Sequence, residues 1–452
     1  MQIHFSLKNK IPSEIYQKLL EVANIFNYNH YECYFVGGFI RDILLEKNKN
    51  FEDIDIATNA KPDEVMKLFK KVIPTGIKHG TVTILYKGLK FECTTYRTEK
   101  KYSDYRHPDE IEFAKSIYED LTRRDFTINA FAYDIIQEIL IDEFNGLEDL
   151  KNKLIRCIGN PKERFLEDGL RPIRACRFMA TLEFQLEINT KNAILDPDVR
   201  NAIQSISIER FTEELKKGLK AKKTSLMLVS LYELKLIELF IKEKVFSKIS
   251  QGFFSYLDCL ENEYLKLSYW FWYQDFNINN AAKQLKFSNK LTKICNIYIE
   301  FINLYTSLHP FVFLNQNDMN LLINKNFIVL QYDKIKLLKK YKKYLGKLKK
   351  EIPNESKELL NYLKIFIIQS SYNIKNLQLE FYFLLNQFFE WLKYVLEKEP
   401  IIINDLSING EDLKQLGYSG KEIGLKLNEL LEFVLENPSL NTKEQLKKFL
   451  KP

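Results

Sequence analysis

The stretch from Tyr34 to Thr58, YFVGGFIRDILLEKNKNFEDIDIAT, constrains this chain more than any other, because it sets a glycine pair and two aspartates close together. Tyr34 to Val36 reads as a short apolar strand, and Gly37-Gly38 as a turn that lets backbone N–H groups approach a phosphate. Phe39 to Leu45 then starts a helix. Phe51 to Ile56 reads as a second strand, whose period-two alternation turns Asp53 and Asp55 to one face and Ile54 and Ile56 to the other. Two carboxylates on one face, with no basic residue between them, make a site for a hard divalent cation such as Mg²⁺. The alternative is that they merely solvate a strand edge.

The flanking segments supply the rest of a small sheet. Ser13 precedes a helix with Ile15, Leu19, Val22 and Phe26 on one face, and Pro62 to Lys71 is a second amphipathic helix. Thr81 to Tyr86 and Leu89 to Tyr96 read as strands joined at Lys87-Gly88. Glu92 lies between Phe91 and Cys93 and faces opposite to them, which makes it the candidate for a third acid beside the aspartates. Arg97 to Glu112, RTEKKYSDYRHPDEIE, is aperiodic and dense in charge, and reads as an exposed loop.

Asp120 to Tyr133, DLTRRDFTINAFAY, reads as a helix with Arg123, Arg124 and Asp125 ahead of an apolar stripe at Ile128, Phe131 and Ala132. Guanidinium forks there match phosphate oxygens, unless they form only a surface ion pair. Ile139 to Ile141 and Leu154 to Ile158 are further strands; from Pro161 onward the chain reads as helical. In Phe165 to Phe178, FLEDGLRPIRACRF, Asp168 and Arg171 stand at i and i+3, so an acceptor and a donor fork can meet one base edge side by side. Arg171 can donate to the O2/N3 side of cytosine or N1 of adenine while Asp168 accepts from the exocyclic amine; guanine and uracil mismatch, at roughly 1–3 kcal/mol per unpaired group. The other reading is an intrahelical ion pair between the two. Pro172 requires the helix to begin near Asp168 to Leu170.

GGFIRD with DID, RRDFTINA and EDGLRPIRACRF together resemble the nucleotidyltransferases of the DNA polymerase β type, in the branch that holds bacterial CCA-adding enzymes and poly(A) polymerases. The resemblance implies an α+β fold: a palm of mixed sheet with flanking helices at 1–150, a neck with the base template at 151–220, a helical body at 221–395 and a helical tail at 396–452. It implies two Mg²⁺ ions on the catalytic Asp53 and Asp55, with Glu92 as a further ligand. Nucleotide binding would fall to Gly37, Gly38, Arg41, Arg123, Arg124, Asp125, Asp168, Arg171, Arg174 and Arg177. The implied reaction adds CCA to tRNA from CTP and ATP; CC-adding, A-adding and poly(A)-forming enzymes, or an inactive RNA-binding module, are the alternatives. Arg97 to Glu112 resembles the family's mobile loop, and Ser207 to Leu219 a helix that supports the template. Ile408-Asn409-Gly410, Asp412-Leu413 and Gly420 to Gly424 resemble a tRNA-contacting tail in which Gly424, Lys421 and Lys426 suit a phosphate.

Composition agrees with this class. At 452 residues the chain exceeds one core and should form two to four domains, and a net charge of +7 suits a polyanionic partner. Arg is concentrated between Arg97 and Arg210, whereas KKYKKYLGKLKK at Lys339 to Lys350 reads either as a polyanion track or as a solvated helix face. The cysteines contain no CxxC, which indicates neither zinc nor a disulfide framework. No signal peptide or long apolar span is read, so a cytoplasmic location is expected. His309 is the only histidine after His107, which excludes a C-terminal histidine-aspartate phosphohydrolase.

Overall fold

Alternation in two six- to seven-residue segments builds the centre of the N-terminal sheet. In β3 (Asp53–Thr58) Ile54 and Ile56 are buried; in β6 (Leu89–Thr95) Leu89, Phe91 and Cys93 are buried while Lys90 and Glu92 are exposed. Each such apolar side chain contributes about 1.5–3 kcal/mol of burial, which fixes the register, since a one-residue slip would invert every side chain. The structure, a computed structural model, describes residues 1–47, 51, 53–100, 110–242, 254, 256–306, 327–351, 353, 356–357, 360–361 and 379–450. It divides into two units, Met1–Glu243 and Lys244–Pro452.

In the first unit β1 (Gln2–His4), α1 (Ser13–Tyr28), β2 (Tyr34–Val36) and α2 (Gly38–Leu44) precede β3. Next come α3 (Pro62–Leu68), β4 (Val72–Gly76), β5 (Thr81–Tyr86) and β6. β7 (Arg97–Lys100), β8 (Glu110–Phe113), α4 (Ile117–Thr122), β9 (Phe131–Asp134), β10 (Ile139–Asp142), α5 (Gly146–Lys151) and β11 (Leu154–Ile155) follow. Among the described residues an eight-stranded mixed sheet has the order β1-β10-β9-β2-β3-β6-β5-β4, with β3 and β6 parallel and Asp55 opposite Glu92.

Three expectations are corrected here. Asp120 to Tyr133 is not one helix: α4 stops at Thr122, Phe126 is extended, Thr127–Asn129 is a 3₁₀ turn and β9 follows. The Asp125 carboxylate accepts from the Phe126 N–H at 2.8 Å, a local bond that competes with helix, and Phe131, Ala132 and Tyr133 are buried in succession as in a strand covered on both faces. The ends of Arg97 to Glu112 are not loop, because β7 and β8 pair antiparallel with Arg97 opposite Phe113; residues 101–109 lie outside the described residues. A strand also follows Pro161: β12 (Gln185–Leu186) pairs parallel with β11, which itself ends at Ile155 rather than Ile158.

The helices of this unit are α6 (Pro161–Glu167), α7 (Arg171–Leu182), α8 (Ile188–Ile194), α9 (Pro197–Gln204), α10 (Ile208–Leu219) and α11 (Thr224–Glu233). Gly169, in the turn between α6 and α7, sits so close to α9 that a Cβ would lie 2.3 Å from the Ala202 carbonyl oxygen. The turn that carries Asp168 is thereby pinned.

The second unit is helical in its described residues, with helices Glu263–Tyr273, Ile278–Gln284, Asn289–Thr306, Phe327–Glu351, Leu379–Lys398, Gly410–Gln415, Lys421–Glu436 and Lys443–Leu450. The lysine run combines an exposed face, with Lys340, Lys343, Lys347 and Lys350, and lysines that tie helices together. Lys339 pairs with Glu432 and Glu436, Lys343 with Glu432 at 2.6 Å, Lys347 with Glu300 at 2.6 Å and Lys349 with Asp405 at 2.9 Å. Lys342, 8% exposed, bonds Glu399 at 2.7 Å and the Leu435 carbonyl at 3.0 Å. Farther on, Asn409 caps Gly410–Gln415, and Leu406, Ile408, Leu413, Leu430, Val434 and Leu446 form a core. A Cβ at Gly424 would meet nothing within 4 Å, and Lys426 pairs with Glu429 at 2.8 Å. No helix among the described residues is long and apolar enough to cross a membrane.

Candidate active site

Gly37 has φ 70° and ψ −138°, a conformation that side-chain-bearing residues rarely adopt, and its N–H is committed to the Phe131 carbonyl at 3.2 Å. What Gly37 supplies is therefore room. A Cβ there would lie 3.1 Å from Arg124 Nη1 and 3.2 Å from Asp55 Oδ2, so a carboxylate and a guanidinium converge on the space it leaves open. Arg124 Nε is buried and unpartnered among the described residues, a donor already stripped of water. Arg41 lies over Gly38, with Nη2 3.4 Å from that residue's would-be Cβ.

A chain of polar contacts fixes these groups. Arg41 Nε donates to Asp42 Oδ1 at 2.7 Å and Nη1 donates to Asn129 Oδ1; Asn129 Nδ2 donates to Asp125 Oδ1 at 2.9 Å. Arg174 on α7 closes the chain, donating to Asp125 Oδ2 from Nε at 2.9 Å and Nη2 at 2.7 Å. Burial raises the Asp125 pKa, but Arg174 and the Asn129 hydrogen bond outweigh it and hold the carboxyl down to about 2. Arg177 donates to Glu214, which is 3% exposed and also approached by Arg174 Nη1 at 3.8 Å. Arg174 and Arg177 thus hold α7 against the Asp125 segment and α10 through ion pairs to buried carboxylates.

Asp168 and Arg171, expected to read a base from one helix, differ from that geometry. Asp168 is not helical but extended, at φ −142° and ψ 106° after α6, and α7 begins at Arg171 with Pro172 in its first turn. The two residues do not pair with each other. Asp168 Oδ1 accepts from the Leu170 N–H at 3.0 Å and Oδ2 from Arg210 Nη2 at 2.8 Å. Arg171, 6% exposed, donates to Glu167 Oε2 at 2.7 Å, to the Arg164 carbonyl at 3.0 Å and to the Arg123 carbonyl at 3.0 Å. The last bond ties the start of α7 to the segment that carries Arg123 and Arg124.

The arrangement accompanies a sequence match over residues 33–156 to the family described as the poly A polymerase head domain. Residues 33–156 are thus similar to that head domain. The chain is 50% identical over 209 residues to the CCA-adding enzyme of Lactobacillus johnsonii, covering 46% of this chain and 51% of that one. The chain spans about half the length of this relative. In structure it is similar to the Bacillus stearothermophilus CCA-adding enzyme in complex with CTP, with TM-score 0.66, 25% identity and 96% of each chain covered. It also shares the fold of the Thermotoga maritima CCA-adding enzyme complexed with tRNA-CCA, with TM-score 0.60, 20% identity and 98% and 97% covered.

Two carboxylates, Asp55 and Glu92, stand in register on neighbouring strands beside the opening at Gly37. Asp55 faces the opening at Gly37, Glu92 is its register partner on β6, and Asp53 lies two residues earlier on β3 opposite Lys90; the side chain of Asp53 is outside the described residues. Among the described residues no group of three or more His, Cys, Asp and Glu is gathered into a metal site. The oxygen-only donor set beside an open, glycine-lined space nonetheless fits a divalent cation.

Sequence reading missed two residues here and the partner of a third. Asn129 bridges Arg41 and Asp125, and its signal was an amide inside an otherwise apolar run. Asp120 binds Arg123 and Arg124 and was legible as an acid three and four residues ahead of them on a helix. Arg210, in the Ser207 to Leu219 segment expected to support the template, holds Asp168 from α10, a partner that no local pattern announces.

Proposed function

We propose that this protein adds CCA to tRNA 3′ ends from CTP and ATP and releases pyrophosphate. The observation that carries this is the convergence of Asp55 and Arg124 on the space at Gly37, with Arg171 bonded to the Arg123 carbonyl, so that phosphate-binding and base-reading groups form one site. The likeness to enzymes described as CCA-adding, one of them in complex with CTP, supports the same reading.

Arg124 and Arg41 orient the triphosphate by charge-assisted hydrogen bonds, and Arg123 adds to the same positive field. Asp168 and Arg171 read the amine and the ring acceptor that cytosine and adenine share. Asp53 and Asp55, with Glu92, would hold two Mg²⁺ ions, which when bound supply the charge that activates the terminal hydroxyl and stabilises the leaving pyrophosphate. No protein nucleophile is needed. In this reading residues 1–150 are the head, 151–220 the neck, 221–395 the body and 396–452 a tail whose open Gly424 faces tRNA, and the setting is cytoplasmic.

The test is incubation of the purified protein with tRNA transcripts lacking CCA, ending in CC, or complete, each with CTP, ATP or both. Stepwise completion to CCA supports the proposal. Addition of only C, of only A, or of a long A tract would replace it with the corresponding specialist activity.

A further inference from the structure

Asp120 on α4 is 1% exposed, a depth at which a carboxylate persists only if it is paired. Its Oδ1 accepts from Arg123 Nε at 2.9 Å and Nη2 at 2.8 Å and from the backbone N–H of Arg97 at 3.3 Å; its Oδ2 accepts from Arg124 Nη2 at 3.2 Å. Burial pushes the Asp120 carboxyl up, but the two guanidiniums outweigh burial and hold it below its usual range. Packing alone does not call for a charge here, since Ile117 and Leu121 already bury the apolar face of α4.

The partners of Asp120 belong to three different parts of the site. Arg97 opens β7, and the base of the β7–β8 hairpin is seated where Arg97 Nη1 donates to the His79 carbonyl and the Phe113 ring lies 3.3 Å from the would-be Cβ of Gly80. Arg124 reaches the opening at Gly37. Arg123 passes its carbonyl to Arg171 Nη2 at 3.0 Å. One oxygen of Asp120 is therefore shared between the hairpin base and the arginine whose backbone holds the base-reading guanidinium.

We propose that Asp120 is a positioning residue that couples the seating of the β7–β8 hairpin to Arg123 and Arg124, and through the Arg123 carbonyl to Arg171. The inference rests on the reading of the site given above. A change in hairpin seating carries the Arg97 N–H with it, redistributes the bonds on Asp120 Oδ1 and so alters how the phosphate and base are held. Nucleotide affinity and the change from C to A addition are linked through this one carboxylate.

The test uses Asp120→Asn, which keeps the oxygen for Arg97 and removes the charge, together with Phe113→Ala, which unseats the hairpin base, and the double variant. Equilibrium binding of CTP and ATP, and kcat and KM for C and A addition, are measured on the full chain. Asp120→Asn should raise KM for both nucleotides by roughly tenfold or more, as expected for loss of charge-assisted bonds. Each single variant should slow A addition more than C addition, and the double variant should lower the A-to-C ratio no further than the worse single one. A lowered melting temperature with unchanged KM and ratio, or losses in the ratio that simply multiply, would overturn the coupling. Arg123→Gln, which breaks the pair but keeps the carbonyl for Arg171, should give the same pattern and decides the matter if Asp120→Asn does not fold. If the wild-type chain binds CTP and ATP but extends no tRNA, the tRNA reading fails, and Asp120 is judged on the binding titrations, where unchanged affinity in Asp120→Asn would overturn its role.

Discussion

Gly37 and Asp55 are coupled in this site: a methyl group on Gly37 would press on both the Asp55 carboxylate, at 3.2 Å, and Arg124 Nη1, at 3.1 Å. Gly37→Ala should therefore slow nucleotide transfer, both through strain at φ 70° and through displacement of those groups. Asp55→Ala or Asp53→Ala should cost more than roughly a hundredfold in rate while leaving tRNA binding intact or slightly tighter, because negative charge facing phosphate is removed. Parallel transfer and tRNA-binding assays test this, and near-normal transfer by either aspartate variant would end the metal assignment. Asp125 sets a pH dependence of known sign. Its folded pKa of about 2 lies below the unfolded value of about 3.9, so the stability it contributes is fully present above pH ~4 and is lost as pH falls toward 2. Arg174→Met removes the main charge that lowers it, and should move acid unfolding, followed by circular dichroism, to higher pH.

In the proposed function, single elements position the groups assigned to the base. Gly169→Ala would push the α6–α7 turn off Ala202 and should lower both thermal stability and discrimination for C and A. Arg171→Ala should degrade the preference for CTP and ATP over UTP and GTP more than it degrades the fold; an unchanged preference in competition assays would reject the protein template. Replacing Arg97 to Glu112 by a Gly-Ser linker should leave both C additions largely intact and slow the terminal A. Strands β3, β5 and β6 were legible because apolar and polar residues alternate in them, and the site aspartates because they stand at alternate positions of one such strand. The segment after Arg124 was misread because Ile128, Phe131 and Ala132 also fit a helical stripe, and only burial of β9 inside the sheet distinguishes the two periods. The Asp168–Arg210 bond spans 42 residues, and such partners across the fold leave no local trace in a sequence.

Across the whole molecule, the two units use charge differently. In Met1–Glu243 arginines meet buried carboxylates at the site, whereas in Lys244–Pro452 the lysines of Phe327–Glu351 tie helices together. Lys342→Ala leaves Glu399 unpaired and should cost about 3–5 kcal/mol, the range for breaking a buried ion pair, seen as a lower melting temperature of the second unit. The central claim is that the protein itself, through Asp168 and Arg171, dictates both the identity and the number of added nucleotides. The most direct measurement supplies all four nucleoside triphosphates at equal concentration to a tRNA transcript lacking CCA and sequences the 3′ ends of the products. The account predicts ends of CCA with little U or G and nothing beyond the third nucleotide; U or G incorporation at comparable frequency, or extension into a homopolymer, would contradict it.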